Sequence, residues 1–315
     1  MIQRSEWQRR VSNFAFPPEA DFWLAILRCG LGIQLCLYCL WLRSDWEYFI
    51  GGSGRGIVGR QISEGLVAAE APFVPTFGWL VDGAEKLGLT EQTTLLTSWL
   101  TLLLAGALLL AGLFSRVAAI TAWFLHLCAA KSGGFFAYGV DNFMTIGLFY
   151  LMIGPLPDRY SLDSKLWRRG PPDPELLGFF RRLLQVHLGI AYFFSGLSKA
   201  LGSGWWDGSS IWRAFIRPPF NFIPAEVLVR GKHLLPLIGI CILVLELGYP
   251  LMMSVRKFRT LWLALILGMH VAIGLTLGMY LFALIMIVLN IAAFGPTVSS
   301  NRRRASSQAN SPVAA

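Results

Sequence analysis

The chain has 315 residues, 55% of them hydrophobic and 14% charged, with a mean hydropathy of +0.56 and a net charge of +9. Soluble domains carry about a quarter charged residues, so the composition excludes an ordinary soluble enzyme and describes a polytopic membrane protein. The positive balance lies mostly in short basic runs beside apolar stretches, where it sets topology and meets anionic lipid, and it implies no nucleic-acid partner.

In chain order, Met1–Asp21 lacks the pattern of a cleavable signal. The first apolar run, Phe22–Leu42, is long enough to cross a bilayer and is interrupted by Arg28. The segment 44–92 turns polar and Gly-rich, with room for short interfacial helices at Ile57–Ala69 and Phe73–Leu89. Further spans are expected at Thr93–Leu113, at Val117–Ala130 with Lys131 at its end, and from about Val140 to Gly154. A Pro- and Arg-rich stretch, Pro155–Arg182, precedes the fifth span, Leu183–Leu201. The aromatic segment 202–232 is again expected to hold short interfacial helices, and the sixth span, Leu234–Met253, contains Glu246. From Thr260 to Phe294 the chain is almost unbroken apolar. One helix of that length would measure roughly 52 Å against a core of about 30 Å, so it must turn back near Gly274–Gly278.

The expected fold is therefore an all-α bundle of about eight transmembrane spans forming one domain, 1–297, with a disordered basic and Ser/Ala-rich tail at 298–315. Eight crossings put both termini on one side. Lys and Arg are richer on that side, which predicts an inner-membrane protein with cytoplasmic termini.

Polar groups inside such a bundle are functional candidates. Lys199 lies about two turns, roughly 9 Å, before Trp205 and Trp206, whose type favours the membrane boundary. It either serves chemistry or snorkels its ammonium to the headgroups. Arg28 and Glu246 fall at one level when counted from the cytoplasmic ends of their spans, which predicts a structural ion pair. Asp141 and Asn142 open the fourth span, either as a helix cap or, with Lys131 and Lys199, around one outward cavity. His126, His187, His233 and His270 have no metal-ligand spacing, and mid-span His270 reads as a helix bridge or a ligand contact. Cys36 and Cys39 stand as C-x-x-C deep in a helical run, where a thiol behaves as a small hydrophobe.

The run Tyr192-Phe-Phe-Ser-Gly-Leu-Ser-Lys199, followed by Trp205-Trp206-Asp207-Gly208, resembles the signature of the HTTM domain, the membrane domain shared with vitamin K-dependent gamma-carboxylase. Gly139-Val-Asp141-Asn142, Asp45-Trp-Glu-Tyr-Phe-Ile and the run from His270 to Phe282 are similar to other parts of that family, so the resemblance covers most of Phe22–Phe294, as a short bacterial-type member. It implies a quinol-binding membrane enzyme with carboxylase-like lyase or oxidoreductase chemistry and a reduced quinone, of menaquinol or vitamin K hydroquinone type, as cofactor. It implies Lys199 as the catalytic base with Asp141 and Asn142 orienting the quinol, and Tyr192, Trp205, Trp206, Asp207, His270 and Lys131 around it. In two respects the chain departs from the carboxylase. Asn142 stands where the carboxylase has a catalytic histidine, and asparagine cannot shuttle a proton. The large lumenal part that engages protein substrates is not expected here. The same family includes a bacterial protein needed to mature a peptide toxin, which leaves open a non-catalytic partner for a peptide or protein. A small-molecule transporter is the further alternative, with no evident inverted repeat to support it.

Overall fold

The computed structural model describes residues 6–52, 54, 57–218 and 221–296, so the tail expected to be disordered lies outside the described residues. Among the described residues the chain is helical throughout. Eight helices of fifteen or more residues make the bundle: α1 (Phe22–Trp41), α2 (Glu91–Ala111), α3 (Ser115–Ser132), α4 (Gly139–Ile153), α5 (Pro174–Ala200), α6 (Leu235–Ser254), α7 (Arg256–Leu277) and α8 (Tyr280–Phe294). Four stretches are long and apolar enough to cross a membrane: α1, α2, α6 with its leading turn, and α7. Short helices fill both outlying segments, at Trp46–Ile50, Arg60–Glu70 and Phe77–Glu85, and at Ser203–Trp206, Ser209–Ile216 and Ala225–Arg230.

Local chemistry sets the helix ends. Gly112 closes α2 in the left-handed region at φ 72°, which glycine adopts without strain. The Asp163 carboxylate then accepts from the backbone N–H groups of Phe114 and Ser115, both at 2.7 Å, and anchors the start of α3. The fifth helix starts at Pro174, nine residues before the expected Leu183. Asp173 caps it by accepting from Glu175 N at 2.7 Å, and Pro174 occupies the first turn, where its missing N–H costs nothing. The apolar run after Thr260 turns back where expected: α7 stops at Leu277, Gly278 takes φ 68° against the Phe222 ring, and α8 begins at Tyr280.

Helix α1 is central and packs on α2, α4 and α8. Its Leu24, Leu27, Leu31 and Leu35 share one face at helical spacing and are fully buried. In lipid, helices associate through close packing of small residues. Gly32 does this for α1 and α2: a Cβ there would lie 2.6 Å from the Leu110 backbone nitrogen. Helices α5 and α6 pair antiparallel in the same way, with Gly196 so near α6 that a Cβ would lie 2.9 Å from Leu247 N and 3.0 Å from Glu246 Cβ.

Candidate functional site

The ionisable groups inside the bundle find partners other than those expected. Arg28 does not pair with Glu246. Its Nε donates to Asp158 Oδ2 at 2.6 Å and its Nη2 to Asp158 Oδ1 at 3.3 Å, while Nη1 donates to the carbonyls of Leu109 and Leu110 at 2.6 and 3.1 Å. Asp158 belongs to the connection between α4 and α5, which folds in under the bundle and is held there by Ser161 and Ser164 donating to the Asp158 carbonyl. Counting depth along spans treats such a connection as outside the membrane layer, and so overlooks the acid it brings in.

Glu246 is the partner of Lys199. The Lys199 ammonium lies 2.7 and 2.6 Å from the two Glu246 carboxylate oxygens and donates to Ser195 Oγ at 2.6 Å, so all three of its protons have acceptors. The Trp205 ring lies 5.3 Å from the nitrogen, a cation–π contact. The close approach at Gly196, one turn before the lysine, sets the two helices at a spacing that lets Nζ bridge them. The carbonyl of Trp205 rests against Gly239, which has no side chain to block it. Glu246 lies seven residues further along α6, so its backbone sits roughly 10 Å along the helix from that contact.

Beside this pair runs a buried network across four helices. Tyr192 and Tyr249 stack at 4.0 Å with their planes 20° apart. Asn290 Nδ2 donates to the Met286 carbonyl at 2.8 Å, an acceptor-only group, which orients the amide. Tyr249 OH then donates to Asn290 Oδ1 at 2.7 Å, and Asn290 Nδ2 donates to Tyr192 OH at 2.8 Å. The Tyr192 proton is left for His270 Nε2 at 2.7 Å. A neutral His270 therefore carries its own proton on Nδ1, and that buried Nδ1 has no partner among the described residues. Unpaired buried donors cost roughly 1–3 kcal/mol, and His270 Nδ1 is one of six buried side-chain atoms without a partner among the described residues. His270 thus bridges α7 to Tyr192 on α5, one of the two roles its position suggested, with one donor to spare.

Asp141 belongs elsewhere. Its Oδ2 accepts from Tyr138 N at 3.0 Å, while Oδ1 lies 3.9 Å from His126 Nε2. Helix capping therefore accounts for one of its oxygens. The Phe282 ring touches Phe143 on one side and His270 on the other, at centroid separations of 6.3 and 5.7 Å, and stands between this cluster and the Tyr192 network. No contact joins Asp141 to Lys199 among the described residues. Asn142 follows Asp141 on the helix and is turned to the exposed face, without a side-chain hydrogen bond among the described residues. Lys131 is half-buried at the end of α3, likewise without a side-chain partner among them.

The Trp205–Gly208 turn is organised by backbone. Trp206 Nε1 donates to the Ala200 carbonyl at 2.8 Å, closing the end of α5. Asp207 accepts from Ser209 N at 2.8 Å, and that bond holds its exposed carboxyl below the usual carboxylate range. Gly208, at φ 81°, packs against Leu235 and Pro236 at the start of α6.

Tyr249 and Asn290 of this site carry no motif, and Ser195 lies inside the Tyr192–Lys199 run without having been singled out. Ser195 precedes Lys199 by four residues and was legible as a same-face neighbour. Tyr249 follows Glu246 by three on α6 and Tyr192 precedes Lys199 by seven on the antiparallel α5, so each helix sets a charged group and a tyrosine toward the other. Only their shared face makes that a signal. Comparison of the chain with protein-family models, with curated proteins and with solved structures finds no match in any of the three.

Proposed function

We propose that the chain is an inner-membrane enzyme of eight crossings with cytoplasmic termini, in which Lys199 and Glu246 form a proton-transfer site for a reduced quinone. Three supports carry this reading: the resemblance of the Lys199–Gly208 run to the HTTM signature, the direct Lys199–Glu246 contact beneath Trp205, and the unpartnered His270 Nδ1. The residues fit such a substrate. Exposed Phe194 and Leu197 offer apolar surface to a lipid-soluble ring, and Lys199, half-buried, offers a charge to its hydroxyl. When bound, a quinol supplies reducing electrons to a second substrate.

The chain's own part is to move one proton. Lys199 and Glu246 act as one hydrogen-bonded pair rather than as an isolated amine. As a substrate hydroxyl reaches Nζ, Lys199 passes one proton to Glu246 and takes the proton of the hydroxyl. Glu246 ends protonated, Lys199 remains an ammonium, and the oxygen left negative faces that positive charge in a site of low dielectric. Glu246 thereby joins Lys199 as a catalytic residue, in place of Asp141 and Asn142.

The test pairs ligand identification with a charge-preserving variant. A quinone should co-purify with the parent protein in mild detergent and be identified by mass spectrometry. Lys199→Arg keeps a cation beside Glu246 but cannot relay a proton. It should melt like the parent and lose quinol-dependent turnover by roughly a hundredfold or more. A fully active Lys199→Arg protein would sink this reading. It would favour a second one, a non-catalytic membrane partner in peptide maturation or export, in which the fully satisfied Lys199 simply clamps α5 to α6. For topology, Arg169→Cys and Ser203→Cys place thiols on exposed residues of opposite sides. An impermeant maleimide should label only Ser203→Cys in intact cells, and the reverse pattern would put the site in the cytoplasm.

A further inference from the structure

Along the middle of α5 and the end of α6, from Arg182 up to Phe194, lies a groove of about 410 Å³. Its walls are apolar, with Val186, Ile190 and Phe193 from α5 facing Pro250 and Met253 from α6. Gly189 opens its floor: a Cβ there would lie 3.9 Å from Pro250 Cβ, an ordinary contact that leaves room for a guest above it. No acid lines the groove. At its mouth Arg182 donates to Gln185 Oε1 at 2.8 Å and to the Phe14 carbonyl at 3.2 Å, with the Phe14 ring 4.7 Å from the guanidinium. Arg259 donates to the carbonyl of Met253, itself a wall residue, at 2.9 Å. Arg181, Arg182 and Arg256 all lie within electrostatic reach of Arg259, and the single acid among them, Glu19, is bonded to Arg181 at 2.9 Å. Arg182, Arg256 and Arg259 form no ion pair within 4 Å among the described residues, and Glu19 acts on Arg259 only from a longer distance.

We infer that this groove is a binding site for an anionic phospholipid, its acyl chain between α5 and α6 and its phosphate among Arg182, Arg256 and Arg259. Charge and shape each narrow the occupant. A neutral lipid or quinone would fill the apolar walls and leave three cations mutually repelling. A free phosphate would answer the cations and leave the exposed hydrocarbon walls unused. A basic mouth on an apolar interhelical groove suits a lipid headgroup with its tail attached. The site needs only that this face meets lipid; its upper end shares Phe194 with the surface proposed for the quinone, while its basic end at Arg182 lies seventeen residues, roughly 25 Å of helix, before Lys199.

The protein, purified in detergent and stripped of lipid, would be titrated with dioleoylphosphatidylglycerol or dioleoylphosphatidylcholine and bound lipid counted by native mass spectrometry. The expected result is about tenfold tighter binding of the anionic lipid. Arg182→Gln with Arg259→Gln should reduce it to the level of phosphatidylcholine, and Gly189→Leu, with every arginine intact, should weaken both lipids. Arg182→Lys should keep the preference and serves if the double variant folds poorly. Equal binding of the two lipids by the parent, or an anionic preference that survives the double variant, overturns the proposal. So does full binding by Gly189→Leu, or displacement of the lipid by millimolar inorganic phosphate, since either would leave a bare cation cluster.

Discussion

Arg28–Asp158 and Lys199–Glu246 are both ion pairs inside the bundle, and their surroundings differ in kind. Around Arg28 four of the five guanidinium N–H groups meet acceptors, both side chains are nearly inaccessible, at 2% and 0%, and the acid is pinned by its own loop. Around Lys199 the lysine side chain keeps 22% of its surface, the partner acid 8%, and a neighbouring imidazole N–H goes unanswered. The first environment cannot admit a substrate without unfolding. The second can, because the lysine faces an aromatic turn built from short helices rather than the closed core. Burial and satisfaction make a clamp; partial access beside an unsatisfied donor makes a candidate site.

The largest expected effect breaks the clamp. Asp158→Asn leaves the Arg28 guanidinium buried without a counter-ion and should lower stability by about 3–5 kcal/mol, read as thermal unfolding in detergent. A melting point near that of the parent would show that Arg28 has access to water or to another acid, and the contrast between the two pairs would collapse.

A smaller effect separates the pairs by coupling. Glu246→Gln should cost about 2 kcal/mol, the scale of a hydrogen bond to a charged group. Combined with Lys199→Met, the two losses should fall short of their sum. Combined with Arg28→Gln, they should add, since the residues share no partner. Non-additivity in that last double variant would restore the Arg28–Glu246 pair in place of the two seen here.

Smaller again is the effect of spacing. Gly196→Ala places a methyl group against Leu247 N and Glu246 Cβ and should cost about 1–3 kcal/mol through overpacking. It should also separate Lys199 from Glu246 and depress any activity that depends on them by more than the stability loss accounts for. The smallest effect belongs to Asn142. Asn142→Ala, on an exposed helix face, should stay within about 0.5 kcal/mol of the parent and leave activity unchanged. A marked loss of turnover would return Asn142 to the site.

Read without coordinates, the amino-acid order already determined a great deal. Apolar length and charge spacing marked where long helices lie, and Gly278 marked the hairpin between α7 and α8, because backbone conformation at a glycine and hydrophobic burial are local quantities. Local too is the depth of Lys199 below Trp205. Partnership was not legible. Arg28 and Glu246 matched in counted depth, yet a carboxylate from a polar connection reached Arg28. Asp141 and Lys199 both face the same end by counting, but Phe282 from α8 stands between their clusters. An ion pair is decided by which helix faces approach and by how closely glycines let them, here Gly196 against α6. Those distances arise only when all eight helices are packed, and that is why the tertiary structure alone chose Glu246 for Lys199.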